Sequence, residues 1–160
     1  MEISQKLNDA INAQIGHEFE ATLHYLSMAA YLEGQGFKKL AARMYEQADE
    51  EHAHGMKFFK FVLDRGGEVV LPALPAPAGK FGSVLAVFKA ALAWEKIVTK
   101  KINGLMDIAI EDKDYATQQF LNWFTNEQIE EEANMEAFVR MAEKVGKEHE
   151  YLLENYASIA

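Results

Sequence analysis

Apolar residues recur along most of this chain at intervals of three and four, the period of an amphipathic helix. Over residues 4–33 the stripe is Leu7, Ile11, Ile15, Thr22, Tyr25, Ala29 and Leu32. Over 37–65 it is Leu40, Met44, Ala48, Phe58 and Val62. Over 82–110 it is Val84, Phe88, Leu92, Ile102 and Met106, and over 114–145 it is Phe120, Phe124, Met135, Phe138 and Ala142. Ser4 and Ser83 stand where an N-cap belongs, because a short hydroxyl side chain satisfies the free N–H groups of a first turn. A short tail helix over about 148–158 carries Tyr151, Leu152 and Tyr156. The pattern predicts an all-α fold in one domain over 1–160: four helices, each roughly 42–48 Å long at ~1.5 Å per residue, packed as a bundle.

The connections refine the topology. Glu33-Gly34-Gln35-Gly36 is a short turn, so the first two helices are antiparallel neighbours. All three prolines (Pro72, Pro75 and Pro77) fall within residues 66–82, a stretch that Gly66 and Gly67 open. At ~3.3 Å per residue this segment reaches about 50 Å, the length of the bundle. One long crossover is therefore expected, with helices two and three parallel. Glu111 to Asp114 makes the third break.

Certain polar residues interrupt the stripes. At 100° per residue, Glu18 falls in line with Ile11, Tyr25 and Ala29, and Glu51 with Met44, Phe58 and Val62. Glu95 falls in line with Phe88, Ile102 and Met106. Glu131 sits among Phe120, Phe124 and Phe138, flanked by Glu127 and Gln128, and His54 lies to one side of Glu51. Each helix thus turns one carboxylate inward, at about the middle of its length. Glu51 follows Glu18 by 33 positions and Gln128 follows Glu95 by 33, so Glu51-x-x-His54 is matched by Gln128-x-x-Glu131, as in a duplicated helix pair.

Four buried carboxylates in one layer cannot all ionise unaided. Two divalent cations would cancel their charge. Carboxylate oxygens with one imidazole suit iron or manganese and admit zinc. Composition points the same way. Lys and Arg total 16 against 25 Asp and Glu, a net charge of −9 that gathers cations and disfavours nucleic acid or anionic membrane as a partner. The absence of cysteine excludes thiolate zinc, iron–sulfur clusters and disulfides, and fits a reducing cytoplasm. No apolar run is long enough to span a membrane and no secretory leader is visible, so a cytoplasmic location is expected.

At this point the chain resembles the ferritins, specifically the haem-free bacterial and archaeal type. The anchors are Glu18 with Tyr25, QADEEHAH (47–54), WEKIVTKKIN (94–103) and FLNWFTNEQIEEE (120–132). The resemblance implies a first iron site of Glu18, Glu51 and His54 and a second of Glu51, Glu95 and Glu131, with Gln128 beside the pair. It implies a third site of Glu50, Glu127, Glu130 and Glu131, and a supporting role for Tyr25. It further implies ferroxidase activity, Fe(II) being oxidised by dioxygen, and storage of the ferric oxide inside a homo-oligomeric shell of 24 subunits. Bacterioferritins carry a second Glu-x-x-His, here Gln128-x-x-Glu131, and hold haem through a methionine at the position of His52. No haem is therefore expected. Two other readings remain open here: a shell that sequesters metal without oxidising it, and a dimetal oxidase or peroxidase that stores nothing.

Overall fold

A computed structural model describes residues 3–156. Four long helices dominate it: α1 (Gln5–Gly34), α2 (Lys38–Asp64), α3 (Val84–Glu111) and α4 (Tyr115–Val145). Their starts follow the expected chemistry. Ser4 Oγ accepts from Leu7 N at 3.2 Å, Ser83 Oγ from Ala86 N at 3.0 Å, and Asp114 Oδ1 from Thr117 N at 3.0 Å. Each cap satisfies an N–H that the helix itself leaves free.

The chain enters α2 through the turn at Gln35–Phe37, where Gly36 takes a φ of 89° that a side chain would resist. Residues 65–83 then climb alongside α1. Asn8 Nδ2 donates to Glu68 O at 3.1 Å, Asn12 Oδ1 accepts from Val70 N at 2.8 Å, and Ser27 Oγ donates to Ala78 O at 2.6 Å. Asparagine amides thus supply the partners that an extended backbone lacks outside a sheet. The crossover delivers α3 to the far end of α1, so α3 runs parallel to α2 and antiparallel to α1 and α4. Contacts confirm the directions: Lys6 meets Glu111 while Tyr31 meets Phe81, and Lys89 meets Glu143 while Thr99 meets Glu132.

The tail departs from a plain helix. Lys147–Leu152 is a 3₁₀ turn, and α5 proper is the four residues Leu153–Tyr156. Gly146, at φ 73°, breaks the α4 direction, and Leu153 then drops into the core. Residues 157 and 158 of the expected tail helix lie outside the described residues.

The core is two apolar clusters with a polar layer between them. One holds Tyr25, Leu32, Met44, Phe88, Met135 and Phe138, with Phe88 and Phe138 stacked at 4.5 Å. The other holds Leu7, Ile11, Ile15, Phe58, Ile102 and Phe124, with Phe58 and Phe124 stacked at 4.1 Å. A fully buried side chain of this size contributes about 1.5–3 kcal/mol. Many such residues above and below let the bundle tolerate an expensive layer in its middle. No helix among the described residues is long and apolar enough to cross a membrane.

Candidate metal centre

That layer contains every carboxylate that interrupts a stripe. Glu18, Glu51, Glu95 and Glu131 are buried at 1%, 1%, 0% and 5% relative exposure, one from each of α1 to α4. His54 and Gln128 join them at 5% and 4%. The burial follows from helical register: each residue occupies a stripe position, and the stripes of four helices face one another.

Within the layer, Glu18, Glu51 and His54 each offer a ligand atom within 4.8 Å of the others. His54 Nδ1 stands 3.7 Å from Glu51 Oε2. The imidazole is held edge-on to Trp123 at 5.4 Å and to Phe124 at 5.8 Å, which fixes its plane. Glu18 Oε2 is buried without a hydrogen-bond partner, an unusual state for a buried polar atom. The three residues fit a divalent ion by ligand type, by spacing and by this orphaned oxygen.

The carboxylates shift one another. Burial pushes Glu18 well above the usual range, and the neighbouring Glu51 adds to this. Burial and the charge of Glu95 do the same to Glu51. Burial raises Glu95 as well, against donations from Tyr25 and Gln128 that favour its charged form. Burial and Glu95 push Glu131 up to about 7. Without a cation the layer therefore holds protons near neutrality, and a divalent ion must displace them.

Tyr25 is fully buried, and its hydroxyl donates to Glu95 Oε1. Burial and the neighbouring Glu95 push its phenol well above the ordinary value, so it stays a donor. Gln128 Nε2 donates to Glu95 Oε2 and to Glu95 O, both at 3.2 Å. The residues of the expected third site are placed differently. Glu50 and Glu130 are exposed, and Glu127 is half-buried with Oε1 3.9 Å from His54 Nε2. Among the described residues no second group of three ligands gathers as Glu18, Glu51 and His54 do.

Four further residues serve the layer and were not singled out in the sequence. Gln14 Nε2 donates to Glu18 Oε1 at 2.8 Å, and Gln47 Nε2 to Glu51 Oε1 at 3.4 Å, with a further bond to Glu131. Each glutamine stands four residues before its glutamate, a helical neighbour on the same face, and that spacing is a signal that could have found both. Thr99 accepts from Gln128 Nε2 at 3.3 Å and donates to Glu132 Oε1 at 2.5 Å. Glu132, the last of three consecutive glutamates, thus has a partner across the α3–α4 contact.

A layer of glutamates and one histidine across the middle of four long helices is the layout of the metal-binding carboxylate bundles. Comparisons with known proteins make the class specific. The sequence profile of the ferritin-like domain matches residues 8–145. The bacterial non-haem ferritin of Staphylococcus saprophyticus is 41% identical over 144 residues, which span 90% of this chain and 86% of that one. The bacterial non-haem ferritin of Staphylococcus haemolyticus is 40% identical over the same length. Among solved structures, an open-pore ferritin from the hyperthermophilic archaeon Archaeoglobus fulgidus superposes with a TM-score of 0.94 at 39% identity, covering 99% of this chain and 98% of that one. The chain belongs to the ferritin family.

Proposed function

We propose that this protein is a ferroxidase that stores iron. The buried trio Glu18, Glu51 and His54 carries the reading, because its three ligand atoms converge and one Glu18 oxygen lacks a hydrogen-bond partner. Fe(II) is the substrate. One ion takes Glu18, Glu51 and His54; the second takes Glu51, Glu95 and Glu131, with Glu51 shared and Gln128 alongside. Each ion gives up one electron, and dioxygen takes the pair. The protein's part is to hold the two ions close, leave positions open for the oxidant, and balance charge with four carboxylates. Tyr25 orients Glu95 throughout, and Gln128 does so before the ions bind. Weaker ligands at Glu50, Glu127 and Glu130 then take up an additional ion beside Glu131. Ferric product hydrolyses, releases protons and collects as an oxide inside a shell of 24 copies of this chain. The relatives named non-haem ferritin support a site without haem, and the location proposed is the cytoplasm.

Aerobic loading with Fe(II), followed by gel filtration and an iron assay, tests this reading. Retention of tens of irons per chain in a large particle supports storage, whereas about two per chain, the complement of a dimetal site, leaves an oxidase alone. The double substitution Glu51→Ala, His54→Ala should remove rapid oxidation. An oxidation rate equal to the parent's would overturn the site.

A further inference from the structure

The candidate centre is sealed above and below by apolar clusters, so a hydrated cation must reach it from the side. Lateral grooves on both sides of α3 touch its hydrogen-bonded shell. The α1–α3 groove, about 240 Å³, is lined by Gln14, the partner of Glu18. Its mouth carries Lys101, whose charge is felt by His17 on the same wall. The α3–α4 groove is larger, about 460 Å³, and is lined by Thr99, Gln128, Glu132 and Glu136. Lys96 and Arg140 both lie against Glu136, at 3.5 Å each, which leaves Glu132 as the carboxylate facing the groove.

Gln128 is the decisive residue. It belongs both to the wall of the α3–α4 groove and to the hydrogen bonds of Glu95. Gln128 therefore joins the groove to the carboxylate layer. Its three bonds, to Glu95 Oε2, Glu95 O and Thr99 Oγ1, are all 3.2–3.3 Å, at the long end of the range and easily given up. A cation arriving on Glu95 takes over the role of the amide donor, so displacement of Gln128 leaves no buried carboxylate unsatisfied.

We infer that the α3–α4 groove is the lateral entrance by which divalent cations reach the centre, with Gln128 as its gate and Glu132 as its attracting charge. This rests on the reading of the centre given above. Lys101 repels cations from the alternative groove, whereas Glu132, whose partner is the neutral Thr99, offers an approaching cation a negative charge. Passage requires a swing of one side chain and no movement of a helix.

Stopped-flow binding of Co²⁺ to the assembled protein tests the route, because its ligand-field absorbance follows occupancy without consuming dioxygen. Ala133 is an exposed residue of the groove wall, and Ala13 is an exposed residue of the α1–α3 groove. Ala133→Trp should slow the approach to saturation by on the order of tenfold, with the final absorbance unchanged. Glu132→Gln should slow it at low salt by a similar factor, about the enhancement an acidic cleft provides, and the gap should close as salt is added. Ala13→Trp should leave the rate at the parent's value. Unchanged rates in Ala133→Trp and Glu132→Gln, or a slowing confined to Ala13→Trp, overturn the route while leaving the centre standing. Two tight Co²⁺ equivalents surviving in Glu51→Ala would overturn the centre itself, and the route with it.

Discussion

The hydroxyl of Tyr25 on α1 donates to Glu95 Oε1 on α3, and both side chains are wholly buried. This bond joins the two helices at the level of the carboxylate layer. It also fixes which Glu95 oxygen remains for Gln128, and so sets the orientation of the whole group. Tyr25→Phe keeps the ring and removes the donor. Leaving a buried acceptor unsatisfied costs about 1–3 kcal/mol, so thermal unfolding of the metal-free variant should occur several degrees lower. Fe(II) oxidation should slow several-fold with Co²⁺ stoichiometry unchanged, because Tyr25 orients a ligand without being one. An unchanged melting temperature would mean that the bond contributes nothing to the folded state.

Titration of the layer gives a pH dependence with a definite sign. Glu18, Glu51, Glu95 and Glu131 all hold their protons more tightly in the folded protein than their ordinary value of 4.5. The folded state therefore binds more protons than the unfolded chain, and stability falls as pH rises from that value through the folded one. For Glu131 the window runs from 4.5 to about 7. At ~1.4 kcal/mol per unit this one residue destabilises the metal-free protein by up to roughly 3 kcal/mol by the top of the window. Metal-free protein should accordingly melt lower at pH 8 than at pH 5.5. Protein loaded with Co²⁺ should lack that decline, since the cations replace the protons. Binding at pH 6 should release protons, measurable in weak buffer.

Much of this centre is legible in the sequence because the anomaly is local. Glu18, Glu51, Glu95 and Glu131 each occupy a position that helical period assigns to the core, so the stripe alone marks them. The long crossover is legible too, since three prolines and paired glycines cannot continue a helix and the span matches the bundle. Glu132 is different. Its neighbours Glu130 and Glu131 make it look like one member of a charged run, and what distinguishes it is Thr99 on another helix at 2.5 Å. That pairing depends on the register between α3 and α4, which no single stripe contains. The 3₁₀ turn at Lys147–Leu152 escapes for another reason: over six residues, periods of 3.0 and 3.6 select nearly the same positions.

A bidentate pair clamps the end of the bundle remote from the turn at Gly36. Arg65 Nη2 meets Asp114 Oδ2 at 2.7 Å and Nη1 meets Oδ1 at 3.1 Å, while the same Oδ1 caps α4 through Thr117 N. Burial alone would raise Asp114, but the bonds from Arg65 and Thr117 hold it below its ordinary value. Asp114→Asn keeps the cap and removes the charge; Asp114→Ala removes both. Given about 1 kcal/mol for the cap and a similar amount for the partly buried pair, the alanine variant should lose roughly twice what the asparagine variant loses. Chemical denaturation of the two variants separates the contributions. Equal losses would place all of the effect in the charge.

The proposed additional ion must bind more weakly than the first two, for reasons visible in burial. Glu18, Glu51 and His54 have already been stripped of water, and their rotamers are fixed by packing against Trp123, Phe124 and the bundle core. Glu50 and Glu130 are exposed, so an ion there competes with solvent and must order two free side chains, at about 1.5–2 kcal/mol each. Stepwise Co²⁺ titration should show two tight equivalents per chain and one weaker one. Glu130→Gln should abolish the weaker step and leave the two tight ones intact, since Glu130 touches neither tight site. Glu131→Gln should weaken both classes, because the proposal assigns its carboxylate to both. If Glu130→Gln leaves all three steps unchanged, the additional ion does not use this face of α4.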